Sequence, residues 1–297
     1  MSHGFVLLDK PIGMSSRFAA AKVARMFGTK KFGFIGTLDP MASGLLIIAL
    51  GEATKMIPYH SPPPEGCRPE GRRGGFVKEY LFSIKWGTET DTGDITGNVT
   101  KEGGRIPTTD EIAGALTALT GEYEQMPPAF SAKKIDGVPA YKLARKGKTV
   151  ELSPKKVTIY ELTQTDDTFR VVCSTGTYVR SLVSDIAAAL GTIATCSMIR
   201  RTKSNGFDIK DAVGLDFLEN LYNNGGVAKY LLPLDLGLDD IPVAGLETKD
   251  AKLFQNGGFV PGSFDEGTVR VYSGADFIGI GNVEHGVLKP KRIINVD

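Results

Sequence analysis

The chain has 297 residues, is 41% hydrophobic and 23% charged, and carries a formal net charge of +1. That composition excludes wholesale disorder and leaves room for one large domain or two moderate ones. The longest apolar stretch, 45–50, is far short of the roughly 20 residues of a membrane span; with no leader-like pattern after Met1, a soluble, cytoplasmic protein is the expectation.

Residues 4–8 form a short apolar run of strand length. Ser15 or Ser16 can cap a helix over 17–27, which Gly28 ends. Residues 33–44 read as a glycine-punctuated loop that opens into the buried-strand run 45–50. The stretch 61–76 holds four prolines and four glycines in sixteen residues and reads as a surface loop. Residues 77–85 have the aromatic and β-branched mix of a strand. Thr108 or Thr109 can cap a helix that runs to Thr120. Residues 155–162 and 168–174 pair as strands. The clearest helix is 178–190, where Val179, Leu182, Val183, Ile186 and Leu190 form one stripe and Gly191 stops it. From about residue 241 the character changes to short β-like runs, 268–272, 277–281 and 292–296, with a boundary in 233–243. Helices interspersed irregularly with strands predict an α+β fold.

The small net charge hides a segregation. Segments 1–60, 61–124, 125–210 and 211–297 carry net charges of +4, −4, +7 and −6. The basic block centres on 126–148, where Lys133, Lys134, Lys142, Arg145, Lys146 and Lys148 face a single acid, Asp136, with Phe130 and Tyr141 interleaved. Basic residues with aromatics suit RNA, since phosphates pair with the first and bases stack on the second. Solvated lysines on ordinary surface elements are the competing reading. Three cysteines without a CxxC pair and three scattered histidines argue against a disulfide framework and against a metal site. No phosphate-binding glycine motif appears.

Three residues stand out as candidates for chemistry. Asp39, in Gly36-Thr37-Leu38-Asp39-Pro40, lies in a loop bounded by glycines that let a ligand approach the backbone. A carboxylate there can act as nucleophile or base, or simply open a turn. Arg180 falls in the first turn of the 178–190 helix, where the macrodipole favours anions; either a carboxylate or phosphate faces it or it reaches solvent. Tyr80, inside the 77–85 strand, reads on its own as a packed core aromatic.

Taken together the motifs say more. Leu7-Leu8-Asp9-Lys10-Pro11-Ile12-Gly13-Met14-Ser15-Ser16, Gly36-Thr37-Leu38-Asp39-Pro40, Gly51-Glu52-Ala53-Thr54-Lys55 and Lys78-Glu79-Tyr80 come in that order. Gly87-Thr88-Glu89-Thr90-Asp91-Thr92, Pro127-Pro128-Ala129-Phe130-Ser131-Ala132-Lys133, Gly176-Thr177-Tyr178-Val179-Arg180 and Ile199-Arg200-Arg201 follow. This series, spanning about 4–210, closely resembles the TruB-type tRNA pseudouridine synthases, and the tail resembles that family's small PUA-like domain.

The resemblance implies a pseudouridine synthase domain over 1–238, built on a mixed, largely antiparallel sheet flanked by helices, and a small β-rich PUA-like domain over 239–297. It implies isomerisation of uridine 55 in the T loop of tRNA after the base is flipped out. Asp39 matches the catalytic aspartate, which attacks C1′ or takes the C2′ proton to give a glycal. Tyr80 matches the tyrosine that stacks on the target base, and Arg180 the arginine that pairs with the carboxylate. Tyr178 and Ile199 match positions lining the uracil pocket, and Lys10 a lysine near the site with a structural role. The 126–148 block matches a thumb that closes on the T arm. No cofactor or metal, no protein partner and a monomeric state are what the family leads one to expect.

Two departures stand against this pattern. The family commonly has a histidine where this chain has Phe34, so a polar RNA contact is lost there while stacking remains. The 61–76 stretch looks like an insertion, either a tolerated loop or a segment whose Arg68, Arg72 and Arg73 reach phosphates. A tRNA-folding chaperone that binds and remodels the T arm is the rival reading.

Overall fold

The computed structural model describes residues 2–60, 77–131, 134–135, 138–140 and 152–296. The 61–76 stretch and Lys133, Lys142, Arg145, Lys146 and Lys148 lie outside the described residues, and of Lys134 only the backbone is described.

In chain order the first half runs β1 (Gly4–Lys10), α1 (Ser16–Met26), β2 (Phe32–Ile35), β3 (Ser43–Leu50), a 3₁₀ segment (Gly51–His60), β4 (Val77–Trp86), β5 (Thr88–Thr90), β6 (Val99–Glu102), α2 (Thr109–Ala118) and β7 (Gly121–Gln125). After the short ribbon β8 (Lys134–Ile135) and β9 (Val138–Pro139) come β10 (Lys155–Thr165), β11 (Thr168–Ser174), α3 (Val179–Ala189), β12 (Ala194–Ser204), β13 (Phe207–Asp208), β14 (Val213–Gly214) and α4 (Leu215–Asn223). The C-terminal part holds β15 (Val243–Leu246), α5 (Thr248–Gln255), β16 (Val260–Pro261), β17 (Gly267–Ser273), β18 (Asp276–Glu284) and β19 (Val287–Ile293).

Ten strands form one sheet in the order β14-β1-β3-β12-β4-β11-β10-β7, with β2 beside β3 and β13 beside β12. Only β1–β14 and β3–β12 run parallel; the sheet is mixed and largely antiparallel, as expected. The uninterrupted apolar run of β3 reflects burial on both faces. Leu46, Ile48 and Leu50 face a core shared with α1, α2, α3 and α4, while Leu45, Ile47 and Ala49 face a second core on the opposite side. Strands β15 to β19 make a separate five-stranded sheet with its own apolar core. That sheet docks on the second core through Phe277, Ile280 and Ile294.

The helices begin where their caps dictate. Ser15 accepts from the Phe18 N–H to open α1, and Thr108 with Glu111 forms a reciprocal capping box on α2. Two sequence expectations need correction, and one strand is added. The strand expected at 292–296 lies at Val287–Ile293, because Pro290 sits where it pairs with Gly281 beside a bulge and the run starts earlier. The 33–44 loop begins with a strand, β2, paired along β3. Central strand β12 was not foreseen at all: its polar residues break the apolar run that marks a buried strand.

No helix among the described residues is long and apolar enough to cross a membrane. No cluster of metal-ligating side chains occurs among them either.

Candidate active site

The loop between β2 and β3 carries Asp39 across the helical face of the sheet. The Ser16 hydroxyl, from the start of α1, accepts from the Leu38 N–H and donates to the Leu38 carbonyl, both at 2.8 Å. The Gly13 N–H donates to the Pro40 carbonyl at 2.8 Å. Leu38, Met41 and Ala42 are buried, so the loop is a packed element. It enters β3 through Gly44, whose φ is +103° and where a Cβ would lie 2.3 Å from the Arg201 carbonyl oxygen. Only glycine lets β3 and β12 approach this closely.

From the other side, α3 presents Arg180. Its guanidinium is 4% exposed and fully engaged. Nε donates to Asp39 Oδ2 at 2.9 Å, Nη1 to the Thr92 carbonyl at 2.6 Å and Nη2 to the Phe130 carbonyl at 2.9 Å. The Asp94 carboxylate stands 3.8 Å from Nε. The carbonyls fix the plane of the guanidinium, and the guanidinium fixes Asp39. The first turn of α3 has no acidic residue and no side-chain cap of its own. Gln125 substitutes, accepting from the Tyr178 N–H at 2.8 Å and donating to the Tyr178 carbonyl at 3.2 Å. This settles where a first-turn arginine goes: to the carboxylate.

Asp39, Lys78, Tyr80, Tyr178, Val179 and Ile199 are among the residues that line a cavity of about 360 Å³, within the range of small-molecule pockets. Tyr80 and Ile199 are buried in its wall on β4 and β12. Burial pushes the Tyr80 hydroxyl above its ordinary value, and the nearby Arg201 only partly opposes this, so the phenol keeps its proton at neutral pH. Lys78 lies on the same face of β4, two residues before Tyr80. Burial, reinforced by Arg201, brings its ammonium down to about 7.

The structure therefore brings Asp39, Tyr80, Arg180, Tyr178 and Ile199 to one place. It does not bring Lys10 or Phe34 to the cavity wall. Lys10 is fully buried, donates to the Pro11 and Met14 carbonyls at 2.8 and 2.9 Å, and so ties down the turn ahead of α1. Burial brings its ammonium down to about 8, against the pull of the Asp39 carboxylate. Phe34 packs half-buried on β2 against the helical core. Sequence reasoning passed over Lys78, Arg201 and Asp94, although each sat within a quoted motif or just beyond it. For Lys78 and Arg201 the signal was period two, from Tyr80 and Ile199.

Comparisons with known proteins bear on this site. A family model described as "TruB family pseudouridylate synthase (N terminal domain)" matches residues 24–179. Models described as "tRNA pseudouridylate synthase B C-terminal domain" and "Pseudouridine synthase II TruB, C-terminal" match 180–239 and 242–294. The chain is 41% identical to a tRNA pseudouridine synthase B of Bradyrhizobium diazoefficiens, over 99% of this chain and 86% of the relative. It is 37% identical to that of Caulobacter vibrioides, over 99% and 96%. Among solved structures, a Cbf5-Nop10-Gar1 complex contains a chain of similar fold, with a TM-score of 0.67 at 22% identity, covering 98% of this chain and 84% of that one.

Proposed function

Because the chain belongs to the TruB family of pseudouridylate synthases, we propose that it isomerises a uridine of tRNA to pseudouridine, at position 55 of the T loop, with Asp39 as the catalytic group. The single observation that carries this reading is the Asp39–Arg180 ion pair at a cavity walled by Tyr80 and Ile199. The target base leaves the T loop to enter, at a cost of a few kcal/mol of stacking; the face of Tyr80 returns about 1–3 kcal/mol. Asp39 attacks C1′ or removes the C2′ proton, the C1′–N1 bond breaks, and the uracil turns and bonds to C1′ through C5 as Asp39 leaves C1′ or returns the C2′ proton; the C5 proton is then lost and N1 gains one. Arg180 holds the carboxylate in one orientation throughout. No redox carrier, nucleotide or metal is needed for an exchange of one glycosidic link for another.

The basic residues of 126–148 bind the T arm in this reading. The protein works in the cytoplasm as a monomer, without a protein partner.

Tritium release from a tRNA transcript labelled at uridine C5 tests the proposal. Wild type releases tritium, Asp39→Asn does not, and both bind tRNA alike. Failure of wild type to release tritium while binding tRNA would favour the chaperone reading instead.

A further inference from the structure

Lys78 is the only cation among the described residues that line the cavity. It is 9% exposed, and no carboxylate among the described residues pairs with it. Its neighbours make matters worse. Lys78 Nζ lies 2.8 Å, and Arg201 Nη1 3.1 Å, from the point a Gly36 Cβ would occupy, which leaves the two cations within about 6 Å of each other, where like charges repel. Arg201 is fully buried. Its Nε and Nη2 donate to the Leu45 and Gly36 carbonyls, while Nη1 finds no acceptor in hydrogen-bonding geometry. The exposed Lys155 at the rim adds further positive charge. Cys173 and Tyr80, neighbours whose ionisation would help, are both pushed up by burial, the thiol to about 11, and so stay neutral.

A buried ammonium with no counter-ion is costly, and sheet positions of this kind are normally apolar. The charge makes sense if an anion forms beside it. The isomerisation produces one. As C1′–N1 breaks, its electron pair leaves on the uracil. The sugar is capped by the new Asp39–C1′ bond or by the double bond left when Asp39 takes the C2′ proton. The departing uracil then carries a negative charge spread over N1, O2 and O4. When C5 bonds to C1′, the Asp39–C1′ bond breaks, or Asp39 returns the C2′ proton to the sugar, and the anion's charge is consumed; loss of the C5 proton and gain of one at N1 then complete the product without further change of charge.

We propose that Lys78, backed by Arg201, is a catalytic residue that contacts a carbonyl oxygen of the target uracil and stabilises the uracil anion between cleavage and rejoining. This rests on the isomerase reading of the site. A tRNA phosphate would supply the same sign of charge, but phosphates of a flipped nucleotide stay with the backbone at the mouth, whereas Lys78 is walled in. Preorganised charge of this kind is worth about 100- to 1,000-fold in rate.

The test uses the full-length wild type with Lys78→Met and Lys78→Arg, in single-turnover tritium release, tRNA binding and thermal unfolding. Lys78→Met is expected to slow the bound reaction at least about 100-fold, to bind tRNA within about twofold of wild type, and to unfold at or above the wild-type temperature, since it replaces an unpaired charge by an isosteric apolar chain. Lys78→Arg is expected to recover part of the rate. It should also carry activity further above neutral pH than wild type does, because a guanidinium does not lose its proton there. The titratable and charged groups facing Lys78 are Arg201, Lys155, Cys173 and Tyr80, the last two pushed up by burial, and with Asp39 and Lys10 they are common to all three proteins.

Unchanged single-turnover rates in Lys78→Met would overturn the inference. So would a loss confined to tRNA binding, which would make the lysine a phosphate contact, or a fall in unfolding temperature with no recovery in Lys78→Arg, which would make it structural. An inactive wild type would instead sink the isomerase reading itself, so the two failures are separable.

Discussion

Arg180 shows how one side chain can be read from sequence and still need the fold to be understood. A cation in the first turn of a helix opposes the macrodipole, so its presence there asked for an anion. The anion is Asp39, far away in sequence, and two backbone carbonyls complete the set. A lysine has a single ammonium and cannot span Asp39, the Thr92 carbonyl and the Phe130 carbonyl in one plane. Arg180→Lys therefore leaves at least one of these half-buried acceptors without its partner and lets Asp39 drift. The expected outcome is a single-turnover rate lowered by more than tenfold together with a lower urea midpoint. A variant with wild-type rate and midpoint would show that the carbonyls do not orient the guanidinium. Tyr80 teaches the converse. From sequence it was a core aromatic, and it is one; its cavity-lining face is a second property of the same buried ring.

At the scale of elements, the site depends on where β3 passes β12. The two strands pair in parallel only at Ser43–Gly44 against Arg200–Arg201, and this short contact sets both the end of the Asp39 loop and the position of Ile199. Gly44 makes it possible. A Cβ there would meet the Arg201 backbone at 2.3 Å, at a φ that side chains rarely adopt. Gly44→Ala is expected to lose at least about 1–3 kcal/mol from backbone strain alone, read as a lower urea midpoint, and to lose activity as the loop shifts. An unaltered midpoint would mean that the strands can separate at no cost. Strand β12 escaped the sequence reading because Ser197, Arg200, Arg201 and Thr202 interrupt its apolar pattern. Those polar residues are tolerated in a central strand because they find partners: Arg200 the Asp9 carboxylate, Arg201 two carbonyls and Thr202 Glu79.

For the whole molecule, Glu52 adds a polar fastening between the two sheets beside the apolar contacts of Phe277, Ile280 and Ile294. It lies two residues beyond β3, in the 3₁₀ segment, accepts from Lys31 Nζ at 2.8 Å and from Lys55 Nζ at 2.5 Å, and takes the Asn295 N–H at 3.2 Å. Lys55 also donates to the Ile293 carbonyl at 2.7 Å, so the end of the C-terminal sheet is fastened at two points. Burial pushes the Glu52 carboxyl up, but these hydrogen bonds outweigh it and bring it down to about 2 from an ordinary 4.5. A folded-state value below the unfolded one contributes stability above about pH 4.5 that is lost as pH falls toward about 2. The protection factor of the Asn295 amide, its exchange relative to the intrinsic rate at each pH, should therefore fall over that range, ahead of amides in β3. In Glu52→Gln that protection factor should already be low at neutral pH and change little as pH falls. Slow exchange at Asn295 in that variant would place the fastening elsewhere, in the apolar contacts of Phe277, Ile280 and Ile294.

The sequence by itself determined most of the local elements and the family, and it singled out Asp39 as the carboxylate now proposed to act. Helix caps, apolar stripes and glycine punctuation are short-range signals, and an ordered series of motifs survives without knowledge of their arrangement. What only the tertiary structure decided is which of those motif residues meet. Lys10 and Phe34 belong to the same motifs as Asp39, yet pack away from the cavity; Lys78 and Arg201, given no role beforehand, stand at its wall or behind it. Strand pairing over a hundred residues or more brings β4 against β12 and β12 against β3. The charge balance of a buried cavity is a sum over such distant neighbours, so no window of the chain contains it.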